Sequence, residues 1–137
     1  SPSSLTAWIQ SLPGSFRWMP AFELKWADVT DLALQLAHLQ ASGLVRLISG
    51  GKTFNIATDD RQQLADTIAD TSQAFVIVDR LTSTSDAHRM TEAFETAFEW
   101  GEGTVDVFTE AAAGAVGEKI SMDGSSFTQT RFHEALI

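Results

Sequence analysis

The chain contains no cysteine. That one absence removes a disulfide framework, a thiolate zinc site and a cysteine nucleophile together. It also accords with a cytoplasmic protein, the localisation expected here. No apolar run approaches the roughly 18 residues of a membrane span, so no membrane partner is expected. No basic segment followed by an apolar stretch marks a secretory signal. The histidines, His38, His88 and His133, stand at no spacing that makes a metal site. No internal repeat is visible. The chain opens Ser-Pro-Ser-Ser without an initiator Met and closes on "HEALI", which reads as a fragment cut from something longer.

What is present is ordinary globular material. With 137 residues, 44% hydrophobic and 20% charged, residues 1–137 are expected to form a single domain with a sizeable core. The net charge of −9 is uneven: residues 1–58 hold three acids and four bases, residues 59–137 fifteen acids and five bases. Such a field repels phosphate backbones and favours a basic partner surface, so direct nucleic-acid binding is not expected.

Along the chain, Ser3 or Ser4 can cap a short helix carrying Leu5, Trp8, Ile9 and Leu12, ended by Pro13-Gly14. "SFRWMPAFEL" reads as a strand with Pro20 at an edge or a bulge. Apolar spacing predicts a helix from about Asp28 to Ser42, stopped by Gly43. "LVRLI" and "KTFNI" flank Gly50-Gly51, a hairpin signal, because both central turn residues need positive φ. Residues 58–71 read as a linker or a poor helix, and 74–82 as a strand. A helix follows from about Asp86 to Trp100, then the strand "GTVDVF", a soft "TEAAAGAVG" loop and a final hairpin about Asp123-Gly124. The expected fold is α+β, a mixed, largely antiparallel sheet with hairpins, packed by two main helices.

Catalytic signatures fail on inspection. "SGGKT" lacks the first glycine of a phosphate loop, since Arg46 stands there, and an extended run follows it rather than a helix. Ser125-Ser126 has no Gly-x-Ser-x-Gly elbow. Asp59-Asp60 reads as a cap, because a carboxylate dyad needs a closeness that sequence does not show. No enzyme activity and no cofactor is expected of this fragment.

Two stretches stand out. In "FVIVDR", alternation puts Phe75, Ile77, Asp79 and Leu81 on one face and Val76, Val78 and Arg80 on the other. Both faces begin apolar, so the strand is expected inside the sheet. Asp79 is then expected near the rim, bonded by the first amides of the helix at Asp86, with Arg80 pointing the opposite way. On that helix Glu92, Glu95 and Glu99, with Glu102 just beyond, recur at spacings of three, four and three. Each neighbouring pair costs roughly 0.2–0.5 kcal/mol. The ridge is either a solvated face or a surface that meets a basic partner.

"FVIVDRL…RMTEAFETAFEWGEGTVDVF" resembles the UvrA family of the ABC excinuclease, where a "VVVDR" strand leads to a helix with "RLxxSxETAL" and a glycine-containing turn. "SLPGSFRWMPAFEL" and "LQASGLVRLISGGKTFNI" resemble the family's "xLPEGTRVxxLAPI" and "LxxQGFVRxRxDGExxDL", giving linked blocks in order over about residues 8–108. Arg46 keeps the first arginine of the "VRxRxDG" block, whereas Ile48 and Gly50 replace the second arginine and the turn aspartate. The resemblance implies a UvrB-binding module, inserted in the first ATP-binding half of a dimeric DNA-damage sensor of nucleotide excision repair. It also implies that ATP hydrolysis, zinc binding and most DNA contact lie outside these residues.

On this reading Arg46 and Arg80 are the expected partner-binding residues, since both match motif positions and can fork onto carboxylates. Glu92 and Glu95 on the ridge join them as further candidates. Two alternatives stay open. One is a small-molecule site under Trp8, Trp18, Trp26 and Phe22; the other is an insertion in a divergent paralogue with a structural role or a different partner.

Overall fold

The computed structural model describes residues 1–136. Four helices and eight strands follow in the order α1 (Pro2–Ser11), β1 (Arg17–Leu24), α2 (Val29–Ala41), β2 (Arg46–Ser49), β3 (Lys52–Asn55), α3 (Arg61–Ala69), β4 (Ala74–Ile77), β5 (Leu81–Thr82), α4 (Ala87–Trp100), β6 (Thr104–Glu110), β7 (Glu118–Met122) and β8 (Ser125–His133). Short 3-10 turns cover Ala111–Ala113 and Glu134–Leu136.

Aspartates start three of the helices. Asp28, Asp60 and Asp86 each accept a hydrogen bond from the amide three residues on, at 2.8, 2.9 and 3.2 Å. Each such cap is worth about 1 kcal/mol. Asp60 turns the segment that reads as a linker or a poor helix into α3, which buries Leu64, Ala65 and Ile68 against α2. In α1 the cap is Ser1 rather than Ser3 or Ser4, because Pro2 takes the first helical position, where a missing N–H leaves no bond unmade.

All strand ladders among the described residues are antiparallel, in the order β3-β2-β4-β1-β6-β8-β7, with β5 beside the start of β1. The α+β class with hairpins holds. The two long helices, α2 and α4, are joined by α3 and α1 respectively, and all four helices lie on one face of the sheet. Against them β1 presents Trp18, Phe22 and Leu24. Met19 and Ala21 point to the opposite face, where they join Ile48, Phe75, Ile77, Phe108, Met122 and Phe127 in a helix-free apolar cluster.

That second face is concave, because the ends of the sheet curl toward each other. The amide of Asp123, in the β7–β8 turn, donates to Gly51 O in the β2–β3 turn at 2.9 Å. Its carboxylate accepts from the amide and the hydroxyl of Thr53. Both hairpin turns use the positive φ that the sequence signals: Gly50 at 59° and Gly51 at 77°, Asp123 at 50° and Gly124 at 83°.

β4 is internal, between β2 and β1, as its apolar faces demand. The run from Ala74 to Thr82 is nevertheless broken. Ala21 pairs with Ile77 and Trp18 with Leu81, so Val78, Asp79 and Arg80 stand opposite only Met19 and Pro20. This is a β-bulge, and it lies where Pro20 has no N–H to give, although its carbonyl still accepts from Val78 N at 2.9 Å. Pro20 therefore sits in a central strand but at a bulge. The extra residue reverses the alternation beyond it: Leu81 joins Trp18 in the helix-side core rather than Phe75 and Ile77.

Candidate functional site

The bulge places the two expected arginines in one cleft. Arg46 stands opposite Ile77 on the neighbouring strand, and Arg80 follows three residues later. Both line a cleft of about 720 Å³ at one end of the concave face, half-buried in the case of Arg46 and exposed in that of Arg80. Neither guanidinium makes a hydrogen bond or an ion pair among the described residues. Met19, Ile77, Met122 and Phe127 give the cleft an apolar floor.

A third arginine, which sequence reasoning missed, borders the same cleft. Arg17 donates from its backbone amide to Glu110 Oε1 at 2.6 Å and from Nη2 to Oε2 at 3.2 Å. Its guanidinium also lies 5.8 Å from the centroid of the Phe127 ring. These bonds hold the Glu110 carboxyl below the usual glutamate range, the side-chain bond from Arg17 being the largest cause and the backbone bond the next. The sequence carried only a weak signal for Arg17, a cation at the first position of a strand.

Asp79 behaves differently from the expectation. Its carboxylate does not reach the first amides of α4, because Asp86 already caps them. It takes the fork of Arg89 instead, Nε to Oδ2 at 3.0 Å and Nη2 to Oδ1 at 2.8 Å, and also accepts from Arg80 N at 2.8 Å. The bonds that Arg89 donates to Asp79, and the carboxylate's charge, push the Arg89 guanidinium above its ordinary range. Since Arg89 belongs to α4, Asp79 serves the helix side of the bulge. Arg80 borders the cleft on the Met19 and Ile77 side, the reverse of the face expected for it.

Glu92 and Glu95 do not join the arginines. Both are exposed on α4, across the sheet from the cleft, and Glu92 Oε1 lies 2.9 Å from His88 Nε2. The two glutamates and the two unpaired arginines thus lie on opposite sides of the sheet. The four aromatics of the small-molecule alternative are also separated. Trp18 stacks on Phe94 and Trp8 meets Phe132 in one core, while Phe22 stacks on Trp100 and Trp26 packs in the other.

The far end of the concave face is polar. Asp106, fully buried, accepts from Arg131 Nε at 2.9 Å and Gln129 Nε2 at 3.0 Å, and Arg131 also reaches Glu23 at 2.9 Å. Hydrogen bonding to Asp106 raises the Arg131 guanidinium above its ordinary range. A buried carboxylate held this way is structural. Among the described residues no group of three or more metal-ligating side chains could hold an ion, and no helix is long and apolar enough to cross a membrane.

No curated protein matches the chain. The profile of the UvrA interaction domain matches residues 28–111, more than half of the chain. The matched span runs from the N-cap of α2 to just past β6 and includes Arg46 and Arg80, with α1, β1 and Arg17 lying before it. The bulged "VDR" strand and the "VRLISGG" hairpin that shape the cleft fall inside that match, and the chain belongs to the UvrA interaction domain family.

Proposed function

We propose that this domain recruits a UvrB-type protein in nucleotide excision repair and that the cleft around Arg46 and Arg80 is where the partner docks. The observation that carries the reading is the pair itself. Two guanidinium groups at motif positions share one cleft and leave their donors unspent, in a chain of net charge −9. Forked, charge-assisted bonds to partner carboxylates would use those donors. The motif position of the second family arginine is filled by Ile48, which is 1% exposed and packed into the concave cluster. Recognition here therefore falls on Arg46 and Arg80.

In this reading the 137 residues do no catalysis and bind no cofactor. ATP hydrolysis, zinc binding, dimerisation and most DNA contact belong to a longer, cytoplasmic protein that carries the domain. Glu92 and Glu95, exposed and facing away from the cleft, are open to a second, basic surface of the same assembly, Glu92 already lying beside His88.

Titration of the chain with its cognate UvrB tests the reading. Heat and chemical-shift changes at tens of micromolar are expected, and a silent titration overturns it. Arg80→Ala should weaken binding by about 1–3 kcal/mol while leaving the thermal midpoint nearly unchanged, because the side chain is exposed and unpaired. Asp79→Ala should do the reverse, since it removes the acceptor that joins the bulge to α4.

A further inference from the structure

β3 is an edge strand whose outer side is occupied by side chains. It pairs with β2 through its even residues: Phe54 stands opposite Leu47, and just beyond the strand Ile56 N donates to Val45 O at 2.8 Å. The amides of Thr53 and Asn55 consequently point away from β2. Each is met by a carboxylate, Thr53 N by Asp123 Oδ1 and Asn55 N by Asp59 Oδ2, both at 3.2 Å. Two exposed carboxylate oxygens stand where the carbonyls of a neighbouring strand would be.

The opposite wall of the gap is the β7–β8 turn, which touches the β2–β3 hairpin at Gly51 and Thr53. Past Thr53 the walls part, and the space between Asn55 on one side and Met122 and Ser125 on the other is the cleft itself. Arg46 lies on the strand next to β3, directly opposite Asn55 and on the same concave face. An extended chain laid along β3 would send alternate side chains toward Arg46 and the apolar floor.

We infer that the cleft is a strand-acceptor site: an extended, acidic segment of the docking protein pairs with the outward amides of Thr53 and Asn55 and gives its carboxylates to Arg46 and Arg80. The inference rests on the docking reading above and adds to it the mode of recognition. Backbone bonds to the sheet edge supply affinity, and the unspent arginines supply the choice of acidic side chains. Asp59 and Asp123 act as stoppers. They satisfy the edge until a segment with matching charge displaces them, which keeps the strand from pairing with chains at large.

Asn55→Pro and Asn55→Ala, each titrated with the cognate UvrB, separate this mode from other contacts. Both lose the Asn55 side chain, but only proline removes the outward N–H, and an edge strand tolerates that loss. Asn55→Ala should bind within about threefold of the wild type and Asn55→Pro about tenfold or more below it. Equal affinities for the two, with Arg46→Ala still weakened, overturn strand addition and leave docking at the cleft standing. No binding by the wild-type chain overturns the docking reading instead. If Asn55→Pro does not fold, amide exchange of the wild type decides. Saturating UvrB should slow Thr53 and Asn55 by about tenfold or more, and unchanged rates overturn the inference.

Discussion

Arginine in this domain takes several roles, and the partner of each side chain sets its role; Arg61, for one, joins α3 to Gln40 of α2 at 2.6 Å. Arg131 neutralises a buried carboxylate, Arg89 ties a helix to a bulge, Arg17 fixes a strand end, and Arg46 with Arg80 is left unspent. Arg17 gives a pH signature. The Glu110 carboxyl is held below its ordinary range in the fold, so it ionises more readily there than in the unfolded chain. A depressed folded-state value stabilises the fold above the unfolded value of about 4.3 and loses that contribution as pH falls through the folded value. Arg17 is 62% exposed, so solvent screens the pair and the effect stays below about 1 kcal/mol. Urea unfolding of the wild type and Glu110→Gln should differ by a constant amount from about pH 5 to 8, with the gap closing in more acidic solution. A gap independent of pH would dismiss the ion pair as its source.

At the scale of elements, the sequence was most legible where local chemistry decides. The helices at Asp28 and Asp86 and both hairpin turns follow from caps, apolar spacing and glycine. α3 was harder to read because its apolar face is narrow, and a cap together with packing on α2 completes it. The faces of Asp79 and Arg80 were misread for a different reason. Alternation is a local rule, whereas the bulge that reverses it depends on Pro20, some sixty residues earlier in the chain. The turn after α4 depends instead mainly on its own backbone. A Cβ on Gly101 would lie 2.1 Å from Thr104 O, 2.9 Å from Ala97 O and 3.0 Å from Phe22 Cβ. That glycine is required by the close approach of the Thr104 and Ala97 carbonyls within the α4–β6 turn and not by a left-handed φ, since its φ is −86°. Gly101→Ala should cost about 3 kcal/mol, read as a fall in the urea midpoint. A variant as stable as the wild type would mean that the α4–β6 turn relaxes freely.

The molecule as a whole is one sheet with helices on its convex side and a seam where its ends meet. The members of the cleft come from β1, β2, β3 with the Asp59 turn after it, the bulge with β5, and the β7–β8 hairpin, so no single stretch of sequence announces it. Arg46 and Arg80 were legible through motif positions, but their closeness depends on β2 pairing with β4. Asp59 and Asp123 were legible only as turn or cap residues, because their bonds to β3 appear once the sheet has curled. Asp123 spans the seam, 70 residues from Thr53 in sequence, and its side chain and amide are the described polar links there. Asp123 also holds a φ of 50°, which glycine adopts without strain and asparagine more readily than most residues. Asp123→Gly keeps the turn but removes both acceptors, so it should cost about 1–2 kcal/mol and speed amide exchange at Thr53. Asp123→Asn keeps one acceptor and should cost less. The helix-side cores lie across the sheet, so amides of α1 and α4 should exchange no faster than the change in global stability requires. If Asp123→Gly leaves Thr53 exchange unaltered, the carboxylate is not what closes the seam, and the curl rests on the backbone bond from residue 123 to Gly51 O and on the apolar cluster of Ile48, Phe75, Phe108 and Phe127.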